Sequence, residues 1–428
     1  MHFARWMATL ALCASAASAQ QQQLQQKPDT LLLTRAAAIQ FALERNPQLD
    51  VAREQIAEFR AARVQAAAIP DPAATLSLDQ QPGLFRSSAT GQKNIGATLL
   101  VPFPDKIRLR GNVAGADIRN AEANYTALQR QIAALTAEQY DSLLVALRHR
   151  TDFIQAQTLA NDFLRRTQAR FDAGTAPRLD VIKAQVDVAG STNDLISNER
   201  AIANATSGLN RFIGRALGAT IVATDSLTVP PSLPTIEELE AQALAARPEL
   251  AGLMAERKGA HSATTLAREF WLPDLTLGVT RDISGNNGPG VFSTGLAFPL
   301  PLFFWQHTRG EISQSQHHER ELAASYRDLE AQVGQDVRNA YSAANTALRQ
   351  AVFIRDQLLP SAREAYRSTA ASYAIGGSSA FEVIDARRTL LAAESQYADA
   401  LAAANTSRSD LERAVSVPLD TIVSGTNP

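Results

Sequence analysis

Two hydrophobic patterns alternate along this chain, and each occurs twice. From Thr34 to about Ile69 an alanine-rich stretch reads as helix, broken early at Asn46-Pro47, where proline starts a new helix or kinks the old one. The period then changes to two. In "ATLSLDQ", Leu76 and Leu78 fall on one face and Thr75, Ser77 and Asp79 on the other. After a polar loop from Pro82 to Gln92, Ile95, Ala97, Leu99 and Val101 alternate with Gly96, Thr98 and Leu100. This spacing predicts a hairpin with one apolar and one small or polar face. The pattern returns as Leu275, Leu277 and Val279 against Thr276, Gly278 and Thr280. Past a loop at Gly285 to Gly288, Phe292, Thr294, Leu296 and Phe298 alternate with Ser293, Gly295 and Ala297. The strands are expected over about 72–102 and 273–302.

The rest reads as helix. The 68 residues from Asp105 to Asp172 contain no proline, which at 1.5 Å per residue predicts a rod of roughly 100 Å. No compact core is that deep, so a coiled coil is expected. Leu179, Ile182, Val186, Ala189 and Ile196 follow a 3/4 spacing with a polar gap at Asn193, a heptad seam. A second long helix (Gln306 to about Ala374) and a second shorter one (Ser379 to about Val415) follow. The short first helices, Thr34 to Ile69 and Thr235 to Trp271, can each stack on a short last helix to match a long one.

The wording repeats along with the pattern. "ALERNPQL" (Ala42 to Leu49) returns as "ALAARPEL" (Ala243 to Leu250), and "RFDAGTAPRLDVIKAQ" (Arg170 to Gln185) as "SYAIGGSSAFEVIDAR" (Ser372 to Arg387). Pro47 and Pro248 lie 201 residues apart, and Gly174 and Gly376 lie 202 apart. Pro70-Asp71 answers to Pro273-Asp274, and Arg110-Gly111 to Arg309-Gly310. The expected layout is a signal peptide at 1–19, an extended segment at 20–33, a first repeat at 34–230, a second at 231–420 and a tail at 421–428. "SLTVPPSLPT" (Ser226 to Thr235) is the linker. Two copies of one unit predict a pseudo-symmetric object, a ring or a tube.

Composition narrows the setting. Arg5, the apolar run Trp6 to Ala14 and Ala17-Ser18-Ala19 form an export signal with an A-x-A cleavage site. The one cysteine, Cys13, lies inside it, so the exported chain carries no thiol. Gln20 to Asp29 is polar and of low complexity, and is expected to be disordered in isolation. The formal charge of −2 gives no basic excess of the kind nucleic-acid binders show. After the signal no apolar run is long enough for a transmembrane helix, so a membrane crossing would need strands. Strands of about ten residues suffice for a tilted crossing. Phe270, Trp271, Phe298, Phe303, Phe304 and Trp305 gather at the strand ends as an interfacial belt would. An ordinary soluble sandwich hairpin is the competing reading.

Catalytic chemistry is absent from the pattern: there is no G-x-S-x-G, Walker loop, HExxH or CxxC. No cofactor, metal site or enzyme activity is expected. His317 and His318 point about 100° apart on a helix and share no face. The informative segments are the two turns joining long to short helices. Gly174 closes the first, with Pro177 and Asp180 following. Gly376-Gly377 closes the second, Ser378 or Ser379 caps the next helix, and Glu382 and Asp385 share a face of its start. An acid there suits the helix dipole. Around a channel, repeated copies would instead make acidic rings.

These segments resemble the TolC family of outer-membrane efflux proteins, over nearly the whole chain from Leu33 to about Leu419. "AGTAPRLDVIKAQVDVAGSTNDL" and "PLPLFFWQHTRGEI" look most like the heavy-metal, cation-efflux branch. The resemblance implies a mainly α fold with a membrane β-barrel. In it a homotrimer shares a twelve-strand barrel in outer-membrane lipid and a periplasmic helical barrel. It implies an exit duct for an inner-membrane pump and a periplasmic adaptor, with heavy-metal cations among the expected cargo. By position it implies a periplasmic gate at Glu382, Asp385 and Tyr373. Adaptor-docking tips would be Phe171, Gly174, Asp180, Val181, Gly376, Gly377 and Val383, and membrane-facing residues Leu99, Leu275, Leu277 and Phe298. A duct for type I protein secretion and a structural or adhesive coiled-coil surface protein are the alternatives.

Overall fold

The computed structural model describes residues 31–79, 92–283, 291–300, 302–303, 308–419 and 422. The expected signal peptide, the polar segment after it, the loops at 82–91 and 285–288, Phe304, Trp305 and most of the tail lie outside these residues. The described chain forms two compact units, one from residues 1–47, 129–239 and 336–428, the other from 48–128 and 240–335. Neither unit is a sequence repeat. Each draws on both halves of the chain, because like elements of the two repeats pair with one another.

In the second unit the pairing is a four-stranded antiparallel sheet in the order β2 (Ala73–Asp79), β3 (Gln92–Val101), β5 (Leu275–Asp282), β6 (Phe292–Ala297). The register aligns Leu76 with Ile95, Ala97 with Val279, Leu99 with Leu277, and Leu277 with Leu296. Opposed residues share a face, so the apolar sets of all four strands form one surface. Thr75, Gly96, Thr98, Thr276, Gly278, Thr280, Ser293 and Gly295 make the other, with Leu100 opposite Thr276 as its one leucine among the described residues. Along β5 the alternation is inside-out: Leu275, Leu277 and Val279 are exposed, and Thr276, Gly278 and Thr280 are half-buried. A soluble sandwich hairpin would show the reverse. β6 stops at Ala297, so Phe298 follows the strand rather than pairing within it. The helices α2 (Pro47–Ala66), α5 (Ile236–Ala246) and α6 (Pro248–Arg268) belong mainly to this unit. The repeated Pro-Asp landmark has a structural use here. Asp274 accepts from the Phe103 amide at 3.2 Å and pairs with Lys106 at 3.1 Å, tying the sheet to the start of α3 (Pro104–Asp172).

The first unit begins with α1 (Arg35–Arg45), capped by the Thr34 hydroxyl. The pattern missed one feature here. Leu31–Leu33 (β1) and Ile221–Ala223 (β4) pair as parallel strands, too short to show a period. Buried Tyr140 anchors them by donating to the Leu33 carbonyl at 2.8 Å. Burial pushes its phenol up to about 12, so it stays a donor at any physiological pH.

α3 runs unbroken for 69 residues, as expected. The second long helix does not. α7 (Thr308–Phe353) passes through one π turn at Ile354–Leu358 before α8 (Leu359–Ala374). Pro360 is the physical reason: it offers no N–H, and its ring collides with the carbonyl four residues back unless the turn widens. The heptad stripe is not the face that α4 (Arg178–Phe212) packs within the chain. On α4 the residues packed within the chain are Val181, Ala184, Asp187, Ser191 and Asn198. Leu179, Ile182, Val186 and Ile196 face outward. The packed face is small and polar. Asn198 donates to the Ala146 carbonyl at 2.9 Å, and Gln157 to Thr192 at 2.9 Å.

The register makes a test of the two sheet faces. Arginine at Leu277 would join the apolar face, at a cost of about 2–4 kcal/mol near mid-bilayer, whereas arginine at Thr276 joins the polar one. Leu277→Arg is expected to abolish recovery in the membrane fraction and Thr276→Arg to reduce it only slightly. Equal yields of the two variants would contradict the assigned faces.

Candidate functional site

The two turns of the first unit are built alike. At each, a long helix ends in a glycine with positive φ, Gly174 at 73° and Gly376 at 84°. The residue after it then reaches back five places: Thr175 donates to the Arg170 carbonyl at 2.8 Å and Gly377 to the Ser372 carbonyl at 2.9 Å. This closure satisfies the last carbonyls, and only glycine adopts it without strain. The restarts differ. α4 starts after Pro177 with no side-chain cap, whereas α9 (Ala380–Val415) has a full capping box. The Glu382 carboxylate accepts from the Ser379 amide at 2.9 Å, and the Ser379 hydroxyl accepts from the Glu382 amide at 3.3 Å.

The two hairpins close on one core of Phe163, Ala184, Tyr373, Ala380, Val383 and Ile384. Tyr373 leans on Phe163 with centroids 5.2 Å apart, and its hydroxyl lies 3.4 Å from that of Thr167. The Arg170 guanidinium sits 4.6 Å over its ring and also donates to its carbonyl. Next to this core is a buried ion pair. Arg387 reaches Asp187 in fork geometry, at 2.6 and 3.0 Å, and gives a third hydrogen bond to the Ala156 carbonyl at 3.0 Å. Arg388 approaches the same carboxylate at 3.4 Å. Two parallel N–H···O bonds, with a third donor satisfied, are what a desolvated guanidinium needs.

The expected site residues divide accordingly. Glu382, Asp385, Phe171, Gly174, Gly376 and Gly377 lie at the surface and Asp180 is half-buried. Tyr373, Val181 and Val383 are not displayed on the tips: they are buried in the hairpin interior, on the helix face that carries Ala184 and Ala380. The exposed apolar residues of the tips are instead Leu179, Ile375 and Phe381. The sequence reading missed Asp187, Arg387 and Arg170. Their repeat equivalents are Thr389, Gln185 and Ser372, so comparing the two copies hides them. The one available signal was an acid in step with Val181, Ala184 and Ser191 on an otherwise small face.

Among the described residues no group of three or more His, Cys, Asp or Glu side chains is placed to hold a metal ion. His261 with Glu319 and His318 with Glu321, both at 3.2 Å, are solvent-exposed pairs. No described helix is long and apolar enough to cross a membrane. The structure presents two surfaces: a sheet whose β5 leucines are exposed, and paired turns, one of them with Glu382 and Asp385 exposed beside it.

The family model for outer membrane efflux proteins matches residues 38–215 and, a second time, residues 239–416. The chain belongs to the outer membrane efflux protein family. The two matches are displaced by the same 201 residues that separate Pro47 from Pro248. The cobalt-zinc-cadmium resistance protein CzcC of Cupriavidus metallidurans is 25% identical over 367 residues, covering 85% of each chain. The outer membrane protein TolC of Vibrio cholerae is 26% identical over 382 residues, covering 84% of this chain and 85% of that one. The crystal structure of the outer membrane protein VceC from Vibrio cholerae shares the fold, with a TM-score of 0.73 at 18% identity, over 90% of this chain and 96% of the other. The fold is thus the helical barrel with strand domain of outer-membrane efflux channels, and the family replaces the adhesive surface-protein alternative.

The ion pair is a testable part of the tip. Removing one partner of a buried pair strands the other, at about 3–5 kcal/mol, whereas replacing both by apolar residues can be near neutral. Arg387→Ala is expected to raise hydrogen exchange through the first turns of α4 and α9, and Arg387→Leu with Asp187→Leu to restore most of the protection. Unchanged exchange in Arg387→Ala would show that the pair does not hold the tips together.

Proposed function

We propose that this chain is the exit duct of a tripartite efflux system, working as a homotrimer and exporting divalent transition-metal cations. The observation that carries the reading is the inside-out sheet. Leu76, Ile95, Leu275, Leu277, Val279 and Leu296 of its apolar face are exposed, and its outer strands β2 and β6 each have one paired neighbour among the described residues. Lipid tolerates no open strand edge, so several copies must close the barrel together. Leu99, Leu275 and Leu277 then face lipid, with Phe298 at the barrel rim.

The exposed stripe Leu179, Ile182, Val186 and Ile196 supports the same assembly, because an apolar helix face of this length is normally covered. The tips are the natural place for a periplasmic adaptor. Phe171, Leu179, Ile375 and Phe381 offer apolar contacts around the glycine turns, and the adaptor links them to the inner-membrane pump that supplies the energy. Three copies of Glu382 and Asp385 would ring the periplasmic mouth and concentrate cations there. Glu382 is partly occupied as a cap, so Asp385 carries the freer charge. Tyr373 supports this rim from within. The cargo class is supported by the cobalt-zinc-cadmium resistance named for one relative.

Growth of cells lacking the protein, over a series of zinc, cobalt and cadmium salts, tests cargo and rim together. Deletion is expected to sensitise the cells, and the unmodified protein to restore tolerance. Glu382→Ala with Asp385→Ala, expressed at equal level, should restore it only in part. Unchanged tolerance on deletion would contradict the cargo; full rescue by the double variant would contradict the acidic rim.

A further inference from the structure

The sheet sorts its charges by face, and only at one end. Its strands join the helices at Ala73, Val101, Leu275 and Ala297, and their other ends lead to the hairpin loops. Because the helices are periplasmic, the loop end is the one nearest the cell exterior. The two middle strands, β3 and β5, carry three ionisable residues, all at this end: Lys93, Arg281 and Asp282. Side chains alternate along a strand. Lys93 is therefore in step with Ile95, Ala97 and Leu99, and Arg281 with Leu275, Leu277 and Val279, so both cations stand on the apolar face. Asp282 is in step with Thr276, Gly278 and Thr280, on the polar face. No acid occupies an apolar-face position in any of the four strands. The register also brings the two cations together. Arg281 lies opposite Ile95, so Lys93 is its diagonal neighbour, at about 7–8 Å between backbones.

A cation on a lipid-facing strand is costly at mid-bilayer and nearly free at the headgroups. Both sit at the headgroup end, and both carry a long apolar stem that lets the charge rise to the boundary. Arg281 is exposed, and its guanidinium lies 5.5 Å from the centre of the Phe292 ring opposite it, which is itself 64% exposed. An aromatic ring under a cation at a membrane boundary steadies the charge without neutralising it. The surface thus offers two positive charges directly above an apolar wall of Ile95, Leu277, Val279 and Leu296. Its complement is an anionic headgroup directly above acyl chains. In the outer leaflet of an outer membrane that description fits lipopolysaccharide, whose lipid A bears its phosphates on the sugars that hold the acyl chains. Arginine grips a phosphate with two parallel hydrogen bonds, and lysine adds a point charge. We infer that Lys93 and Arg281 hold a lipid A phosphate and seat one lipopolysaccharide molecule against the sheet of each copy. The inference rests on the lipid-facing sheet proposed above. It adds which lipid that face selects and the two residues that select it.

Titration of the detergent-purified full chain with deep-rough lipopolysaccharide, with bound lipid counted by native mass spectrometry, tests the site. Lys93→Gln with Arg281→Gln is expected to bind roughly thirty-fold more weakly, the loss of two basic side chains at an anionic lipid surface. The unmodified protein should show a similar loss with the same glycolipid after enzymatic removal of its phosphates, a comparison that needs no variant to fold. Excess inorganic phosphate should leave the bound lipid in place. Equal binding by the double variant, or of the dephosphorylated glycolipid, would overturn the site. Displacement by inorganic phosphate would make it a site for the free anion and overturn the lipid. Intact binding with altered ion selectivity in planar bilayers would put the two side chains in the lumen. The two readings fail separately. If Leu277→Arg and Thr276→Arg reach the membrane equally, the lipid-facing sheet falls and the site with it. If only Thr276→Arg reaches it and the double variant binds undiminished, the lipid face stands and the site alone is lost.

Discussion

A hydrogen-bonded sheet can face lipid on one side only if every strand edge is paired, and one copy of this chain does not meet that condition. Its apolar side chains share one face across four strands, with Leu76 opposite Ile95, Leu99 opposite Leu277 and Leu277 opposite Leu296. Its first and last strands have one neighbour each among the described residues. In water the leucines would be the liability, and in lipid the unpaired backbone would be. Both resolve when copies share one barrel. The outward stripe on α4 states the same incompleteness in helical form. On the proposed assembly the fold is completed by its own copies, and function and assembly cannot be separated.

The tips show how duplication shapes mechanism. Glycines at the same repeat positions, with the same backward hydrogen bond, give two turns of one geometry. On that common frame the sequence has diverged where charge matters. One seam has acquired an arginine–aspartate fork, a cation over an aromatic ring and a tyrosine hydroxyl contact, while the equivalent positions stayed neutral or small. Desolvating charges is worthwhile only where partners are fixed, as they are within one chain.

Much of this was legible in the sequence, for identifiable reasons. The strand alternation survived because opposed residues share a face, and the long first helix because no proline interrupts it. The glycine turns could be read because a left-handed helix end narrows the choice to glycine. What failed was anything set by tertiary contact. The 3/4 stripe of Leu179, Ile182 and Val186 faces away from the chain's own partner helices, and the period alone does not tell which neighbour such a stripe meets. Tyr373, Val181 and Val383 share the tip segments with surface residues, and only helix rotation sends them inward. At Pro360 the helix continues through a π turn, which no sequence pattern distinguishes from a break. The strands at Leu31–Leu33 and Ile221–Ala223 are too short to carry a pattern at all.

The central claim is that the fold is completed only by association. The direct measurement is the protein mass of the detergent-purified, exported chain by multi-angle light scattering, corrected for bound detergent and taken alongside its helical circular dichroism. The account predicts a single species of three chains that keeps its helix content and dissociates only as that content is lost. A monodisperse monomer with the same helical signal would contradict it.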